Sequence, residues 1–540
     1  MNEKYNQIHS KMEQTTHPAE EELSSESLPM PNEYIEQMRE SGLEGHAEAY
    51  KQVVDLCEII KAEGGRALLV GGSVRDHFMG KISKDFDIEV YGLESNVIEE
   101  IISNKFGRVS DVGKAFGHLK VFLEGGIDID VTLPRTDSKV SEGHKGFDIK
   151  TDPFMSIKEA ARRRDFTMNT LAADPMSGEV FDYFGGIKDT KERRLKVTDV
   201  ERFKDDPLRV MRAMQFVGRF GLEIDPQSVV IMQEMSKQLK EIAKERVEEE
   251  WKKLLLKSEK PSLGLAAGLS LGVLRELHPQ LPPLVETPQE PDWHPEGDVW
   301  VHTLMVVDEA AKIIRRENIE DDKQKFSIML ASLCHDLGKP EVTEEVDGVL
   351  VSHGHEQAGF EPTQKFLAGI GIHSNNEMRK RVVKLVVNHM APTMLYVNSE
   401  IRGNVVKDGA IRRLAERLHP ATIRELVLLC EADHMGRGAF EPDIAEQMML
   451  SPKEYKPGDW LMEYAARLAV EDSKPTSLTR GRDWIKLGFK PGVEFGKLIR
   501  LSDKLRDENN YTREMIFAAV DGAKTGGEAI KKLEKILESK

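Results

Sequence analysis

The sequence predicts an α+β chain that is mostly helical, with a small mixed sheet plus helices confined to its N-terminal end. Three observations carry this. Residues 68–90, LLVGGSVRDHFMGKISKDFDIEV, read as strand, glycine turn, short helix and second strand. Two more strand-like runs follow at 119–123 and 127–131. From about residue 156 the chain reads as a succession of helices.

A chain of 540 residues is too long for one core, so several domains are expected. The expected order is a mobile polar extension (1–45), a sheet-bearing head (46–190) and a helical neck (191–285). An all-helical domain (286–450) and a helical tail (451–540) follow. No apolar run approaches a membrane span and no signal-peptide pattern is present, so no membrane partner is expected. Cys57, Cys334 and Cys430 are too scattered for a zinc framework and point to a reducing cytoplasm. A net charge of −17 argues against indiscriminate nucleic-acid binding but leaves room for a local basic groove.

In chain order, a helix at roughly 46–63 leads into the first strand. Gly71-Gly72-Ser73 turns the chain, and the open N–H groups of such a turn suit phosphate oxygens. Asp85 and Asp87, alternate residues of the second strand, share one face while Phe86 enters the core. Two carboxylates there suit a hard cation such as Mg²⁺. A lone D-x-D also fits a solvated strand end; the glycine turn and Arg75-Asp76 close upstream give it weight.

After a helix at 97–104, the strand 127–131 offers Asp128 and Asp130 on one face. Asp130 is favoured as the third carboxylate of a two-metal site. Residues 136–153 are polar and Gly-containing and read as a flexible loop. The helix starting near Ser156 is expected to contain Arg162, Arg163, Arg164, Asp165 and Asn169. Pro207 fits a helix start, and Arg209 and Arg212, three apart, share a face.

GGSVRD at 71–76, DFD at 85–87, RRDFTMN at 163–169 and DDPLRVMR at 205–212 stand in one order. Together they closely resemble the bacterial-type (class II) tRNA nucleotidyltransferase and poly(A) polymerase family, over roughly residues 50–275. The resemblance implies a polymerase-β-like head in which Asp85 and Asp87 hold Mg²⁺, to which the strand reading adds Asp130 as an assisting carboxylate. It implies nucleotide contacts from Gly71, Gly72, Ser73, Arg75 and Asp76 in the first motif. From the later motifs it adds Arg164, Asp165 and Asn169, then Asp206, Arg209 and Arg212.

An aspartate and an arginine on one helix offer acceptor and donors to a base edge, so a base can be chosen without a template. The implied activity is addition of C, C and A, from CTP and ATP, to the 3′ end of tRNA at its acceptor stem. Poly(A) or A-only addition are the alternatives; retention of the 136–153 segment opposes a CC-only enzyme. Two departures bear on nucleotide choice: the family usually has Glu where Asp205 stands and Arg where Gln215 stands.

From about 290 the character changes. His302, adjacent His335-Asp336 and the later Asp433 have the order of an HD metal-dependent phosphohydrolase, with His355 and His389 as candidate ligands of a second metal. An apolar helix at 328–333 delivers the His-Asp pair, and Lys339 follows closely. The implied cofactor is a divalent metal, Ni²⁺, Mn²⁺ or Mg²⁺. A head followed by an HD domain resembles the CCA-adding enzymes of enteric-type bacteria, which implies phosphatase and 2′,3′-cyclic phosphodiesterase chemistry. The alternative is a phosphohydrolase whose head serves as an RNA-binding module. The sequence sets no oligomeric state.

In the tail, Gly488 and Pro491-Gly492 punctuate two helical stretches over 478–499, where Arg480, Arg482, Lys486 and Lys490 could lie along RNA. The family places a Gly-containing turn where this chain has Glu508-Asn509-Asn510-Tyr511. A charged amphipathic helix is expected over 527–540.

Overall fold

The computed structural model describes residues 23–107, 109–110, 118–123, 126–139, 147–373, 376–438 and 454–539. The chain divides into two compact units, Met1–Glu250 with Ala267–Leu277, and Trp251–Ala266 with His278–Lys540.

The first unit opens with β1 (Leu23–Ser27), α1 (Pro31–Glu40) and α2 (Glu44–Ala62). Then come β2 (Arg66–Val70), α3 (Gly72–Phe78), β3 (Asp87–Tyr91), α4 (Ser95–Phe106), β4 (Val109–Ser110), β5 (His118–Phe122) and β6 (Asp128–Thr132). A separate two-stranded ribbon, β7 (Arg135–Lys139) and β8 (Phe147–Thr151), precedes α5 (Ile157–Arg162), β9 (Ala172–Ala173) and β10 (Glu179–Phe181).

The main sheet has the order β1-β10-β9-β2-β3-β6-β5-β4. Its neighbours are antiparallel except β3 and β6, which run parallel and set Asp87 opposite Asp130. One side buries Leu69, Ile88, Val90 and Val131 with Tyr50, Val53, Leu56 and Ile60 of α2. Period-two alternation then turns Asp87 and Glu89 to the other side.

Four expectations need correction. The 1–45 extension is ordered from Leu23 on, its first 22 residues lying outside the described ones. β1 pairs with β10, and α1 buries Tyr34, Ile35 and Met38, with the Tyr34 ring 5.0 Å from Tyr50. That apolar spacing is helical and was obscured by the surrounding acidic composition.

The second correction is that β3 begins at Asp87, so Asp85 precedes the strand, its backbone tied to Ser83 Oγ. Third, the segment read as a flexible loop is the antiparallel ribbon β7–β8, with residues 140–146 outside the described ones. Fourth, α5 ends at Arg162: Asp165 accepts from the Phe166 amide, buried Phe166 is extended and bridges to Val197, and Asn169 closes a 3₁₀ turn. A short acid bonding its neighbouring amide offers the backbone an alternative to helix. In the neck, α6 (Leu208–Phe220) is capped by Gly221 at φ +62°, the left-handed conformation that ends many helices.

Among its described residues the second unit is helical apart from one short antiparallel hairpin, Glu344–Val346 with Val349–Val351, which interrupts the expected all-helical domain over 286–450. α7 (Val299–Arg316), α8 (Asp322–Cys334), α9 (His355–Ala358), α10 (Glu377–Val386) and α11 (Ile423–Met435) carry its polar cluster. Asp298 and Asp321 cap α7 and α8, and Thr422 with Glu425 forms a capping box on α11. The tail holds α12 (Gly481–Lys486), α13 (Glu494–Asn509), α14 (Arg513–Ala519) and α15 (Gly526–Glu538). These close around Trp484, Leu498, Leu505, Ile516 and Leu533. Asn510, at φ +56°, caps α13 in the left-handed conformation, within the Glu508–Tyr511 stretch where relatives are expected to carry a Gly-containing turn. Among the described residues no helix is long and apolar enough to cross a membrane.

Candidate active and metal sites

A cavity of about 610 Å³ opens in the first unit beside β3 and β6. Seven arginines and five carboxylates line it, so the pocket is locally basic in a chain of charge −17. That balance suits a bound polyphosphate. Asp87 and Asp130 face each other across the parallel pair. Burial, with Asp130's charge adding to it, pushes the Asp87 carboxyl up to about 6. Two crowded carboxylates, one partly desolvated, are relieved by a cation, and an all-oxygen donor set fits Mg²⁺. His118, on β5, lies 2.9 Å from Asp130 Oδ1. Asp128, the disfavoured alternative, is instead paired with Lys120 at 2.6 Å.

Behind the carboxylates three of the four motifs, all but DFD, form one hydrogen-bonded chain. Arg75 donates to Asp76 Oδ1 and, at 2.8 Å, to Asn169 Oδ1. Asn169 donates to Asp165 at 2.8 Å, and Arg212 donates to the other Asp165 oxygen at 2.6 Å. Burial alone would raise the Asp165 carboxyl, but the Arg212 charge brings it below the ordinary range. The Arg75 guanidinium lies over Phe220 at 4.5 Å, which fixes its plane.

The structure gathers most of the expected nucleotide contacts around the pocket: Gly71, Gly72, Arg75, Arg164, Asp165, Asn169, Asp206, Arg209 and Arg212. Ser73, Asp76 and Asp85 are not among the lining residues. Ser73 turns its hydroxyl onto Val70 O, and Asp76 braces Arg75. The Gly71 amide is spent on Leu171 O, so the expected open amides reduce to those in the first turn of α3, which have no intrahelical acceptor. Asp206 stands ahead of α6 rather than on it, accepting from the Leu208 amide and from Arg246 at 2.6 Å. Arg209 donates to the carbonyls of Arg163 and Arg202, both at 2.7 Å.

Sequence reasoning missed Glu89 and Arg246. Glu89, 1% exposed, accepts from Arg163, Arg164 and Tyr91. Burial would raise it, yet Arg164 and Arg163 hold it below the usual carboxylate range. The signal was the same period of two that linked Asp85 to Asp87. Arg246 had no signal beyond a charged helix.

In the second unit every expected HD residue converges. His302 Nε2 lies 3.1 Å from Asp433 Oδ1 and 3.4 Å from His335 Nε2. His355 Nε2 lies 3.0 Å from His389 Nε2 and 3.5 Å from Asp336 Oδ1. Among the described residues three trios lie close enough to hold a metal: His302–His335–Asp433, Asp336–His355–His389, and His294–Glu296–His302, the last reaching His302 through Nδ1 rather than Nε2.

Nδ1 of His335, His355 and His389 each meets a carbonyl, of Ser332, Ser352 and Val386. A carbonyl only accepts, so Nδ1 carries the proton and Nε2 presents a lone pair. Lone pairs facing at 3.0 Å call for a cation, and these donors fit one. Burial drops His389 to about 3. Burial would raise Asp336, but His335 and Lys339 hold it well below its ordinary value; Lys339 lies 2.8 Å away.

A strand-borne carboxylate pair in a basic pocket, followed by helices that gather histidines and aspartates, defines a nucleotidyltransferase joined to an HD phosphohydrolase domain. Residues 67–196 match the poly A polymerase head domain, 221–284 the probable RNA and SrmB-binding site of polymerase A, and 299–437 the HD domain. The multifunctional CCA protein of Xanthomonas campestris pv. campestris is 34% identical over 374 residues, covering 68% of this chain and 85% of its own. That of Pasteurella multocida is 32% identical over 384 residues, covering 69% and 84%. The chain belongs to this multifunctional CCA protein family. The Bacillus stearothermophilus CCA-adding enzyme, solved in complex with CTP, shares the fold with a TM-score of 0.58 at 19% identity, over 91% of this chain and 98% of its own.

Proposed function

We infer that the chain is a template-independent RNA nucleotidyltransferase that adds C, C and A, from CTP and ATP, to the 3′ end of tRNA. We infer further that its HD domain hydrolyses phosphoesters at such ends. The observation that carries the first reading is the Asp87–Asp130 pair, set on the parallel strands of the sheet and facing an arginine-lined pocket.

Asp87 and Asp130, with Asp85 close by, would hold Mg²⁺. Bound there, the metal supplies charge neutralisation at the α-phosphate and acidifies the attacking 3′-hydroxyl. Arg163 and Arg164, anchored on Glu89, present cationic edges to the triphosphate. Asp206, held by Arg246, offers an acceptor toward the base, and Arg212, held by Asp165, offers donors. RNA would be gripped through phosphates and acceptor-stem shape rather than base sequence.

In the HD domain, His302, His335, Asp336, His355, His389 and Asp433 would hold the metal. An imidazole-rich set suits Ni²⁺ or Mn²⁺ better than Mg²⁺. Bound there, the metal supplies an activated water for attack on a phosphoester. Lys339 adds a buried cation that can face the substrate phosphate.

The test is extension of tRNA ending at the discriminator base, –C or –CC, with labelled CTP, ATP or both, resolved to single nucleotides. Growth that stops at CCA is expected. Addition of A alone, or a long A tail on general RNA, would replace the CCA reading. Phosphate release without incorporation would transfer the function to the HD domain, with the head as its RNA guide.

A further inference from the structure

The four imidazoles of the HD cluster are not equivalent. His335, His355 and His389 each direct Nδ1 to a backbone carbonyl three residues back, at 2.7–2.8 Å. His302 alone directs Nδ1 to a carboxylate, Glu296 Oε1, at 2.8 Å. The Glu296 side chain is 2% exposed. The same Oε1 meets His294 Nδ1 at 2.9 Å, and Oε2 accepts the Gly438 amide at 2.9 Å. Three donors therefore converge on one buried carboxylate, and because His302 turns Nε2 to the His335–Asp433 trio, its Nδ1 meets Glu296 as a donor rather than as a ligand of the His294–Glu296–His302 group.

We propose that Glu296 is a positioning residue of the HD metal site, fixing the tautomer and ring of His302 and raising the basicity of its Nε2. This rests on the reading of the HD cluster as a hydrolytic metal site. A buried carboxylate keeps its charge when donors surround it, and an imidazole whose Nδ1–H points at that charge is a stronger σ-donor at Nε2. The backbone carbonyls behind the other three rings orient them but lend no full negative charge.

The local sequence explains the placement. Asp298 caps α7 through the Val301 amide and takes the Glu286 amide at 3.0 Å on its other oxygen. One residue thus pins both the start of the helix bearing His302 and the loop bearing Glu296. His294 shares the acceptor oxygen with His302, so its loss should strengthen rather than weaken the Glu296–His302 bond.

The experiment titrates the metal-free full chain with Ni²⁺ and with Co²⁺, reading affinity by calorimetry and ligand field from Co²⁺ visible absorption. E296Q is expected to weaken binding on the order of 10- to 100-fold and to shift the Co²⁺ bands. E296D, which keeps the charge, should recover part of both effects, and H294A should bind at least as tightly as wild type. Unfolding midpoints of the metal-free variants check that each is folded, and E296D decides the matter if E296Q is not.

Wild-type affinity and spectrum in E296Q would overturn the proposal, as would equal weakening by E296Q and E296D with unshifted bands. H335A separates the two levels of inference. Loss of binding in H335A with none in E296Q removes only the role of Glu296. Identical binding by wild type and H335A removes the HD metal site itself, and the proposal with it.

Discussion

The two candidate sites achieve order in different places. In the head, the carboxylates stand at an open mouth: the Asp130 side chain is 40% exposed. Rigidity lies behind them, in the Arg75–Asn169–Asp165–Arg212 chain and the Glu89 clamp. In the HD domain the ligands other than half-buried Asp433 are buried, and the imidazole protons are already committed to carbonyls or to Glu296. A site that must admit a triphosphate and an RNA end keeps its metal ligands accessible and stiffens its frame. One that needs only a phosphoester and a water can assemble its ligands beforehand.

The largest expected effects break the two sites independently. D87A or D130A should lower nucleotide incorporation on the order of 10³-fold or more, the scale of several kcal/mol of lost charge stabilisation, while hydrolysis continues. H335A or D336A should abolish phosphoester hydrolysis while incorporation continues. Single-turnover assays of both activities on each variant check this, and a variant that removed both would refute the division of labour.

Acid should separate the units next. His278, fully buried, accepts from Trp251 Nε1, and burial drops it to about 3. Its pKa is depressed in the folded state, so its contribution is whole above about 6.5 and is lost as pH falls toward 3. The stake is at most roughly 4–5 kcal/mol. Asp165 and Glu89 of the first unit are also depressed, but as carboxylates they lose their contribution only below about 4. Unfolding followed by pH should therefore show the second unit weakening first, and H278Q should flatten that slope between pH 6 and 4. An unchanged slope would locate the acid sensitivity elsewhere.

Much of this was legible in the sequence, for physical reasons. Period-two spacing singled out Asp87 with Asp85 and Asp130 with Asp128, the parallel pairing of β3 and β6 then set Asp87 opposite Asp130, and the ordered histidines and aspartates pointed to the HD cluster. Less legible were features that depend on side chains meeting across the fold. Glu89 looked like any strand glutamate until Arg163 and Arg164, more than 70 residues on, were found on it. The helix expected through Asn169 failed because the Asp165–Phe166 bond competes with it. Arg209, expected to face the nucleotide, spends its donors on two carbonyls, which no residue spacing announces.

Within the head, the clamp and the base reader should also part. R164A removes a cation from the triphosphate side of the pocket, so kcat/KM should fall roughly 10- to 100-fold, equally for CTP and ATP. D206A should instead change the ratio between the two. Kinetics with each nucleotide on the appropriate tRNA end decides it; a changed ratio in R164A would move base reading onto the arginine clamp.

The smallest effect concerns Gln215, where the resemblance leads one to expect an arginine. Gln215 is 2% exposed, and its side-chain oxygen accepts from Arg219 at 3.1 Å. Burial also draws the Arg219 guanidinium below its ordinary value, with the Arg75 charge adding to this, so the neighbourhood already resists more positive charge. Q215R would replace an acceptor by a second cation against Arg219. It should cost roughly 1–3 kcal/mol of stability. The CTP-to-ATP preference should move by no more than about twofold, because Gln215 does not line the pocket. A lowered unfolding midpoint with an unchanged preference is the expected pair of results. A stable Q215R with altered preference would make Gln215 part of the base reader, and would shift the boundary between frame and reading surface by one turn of α6.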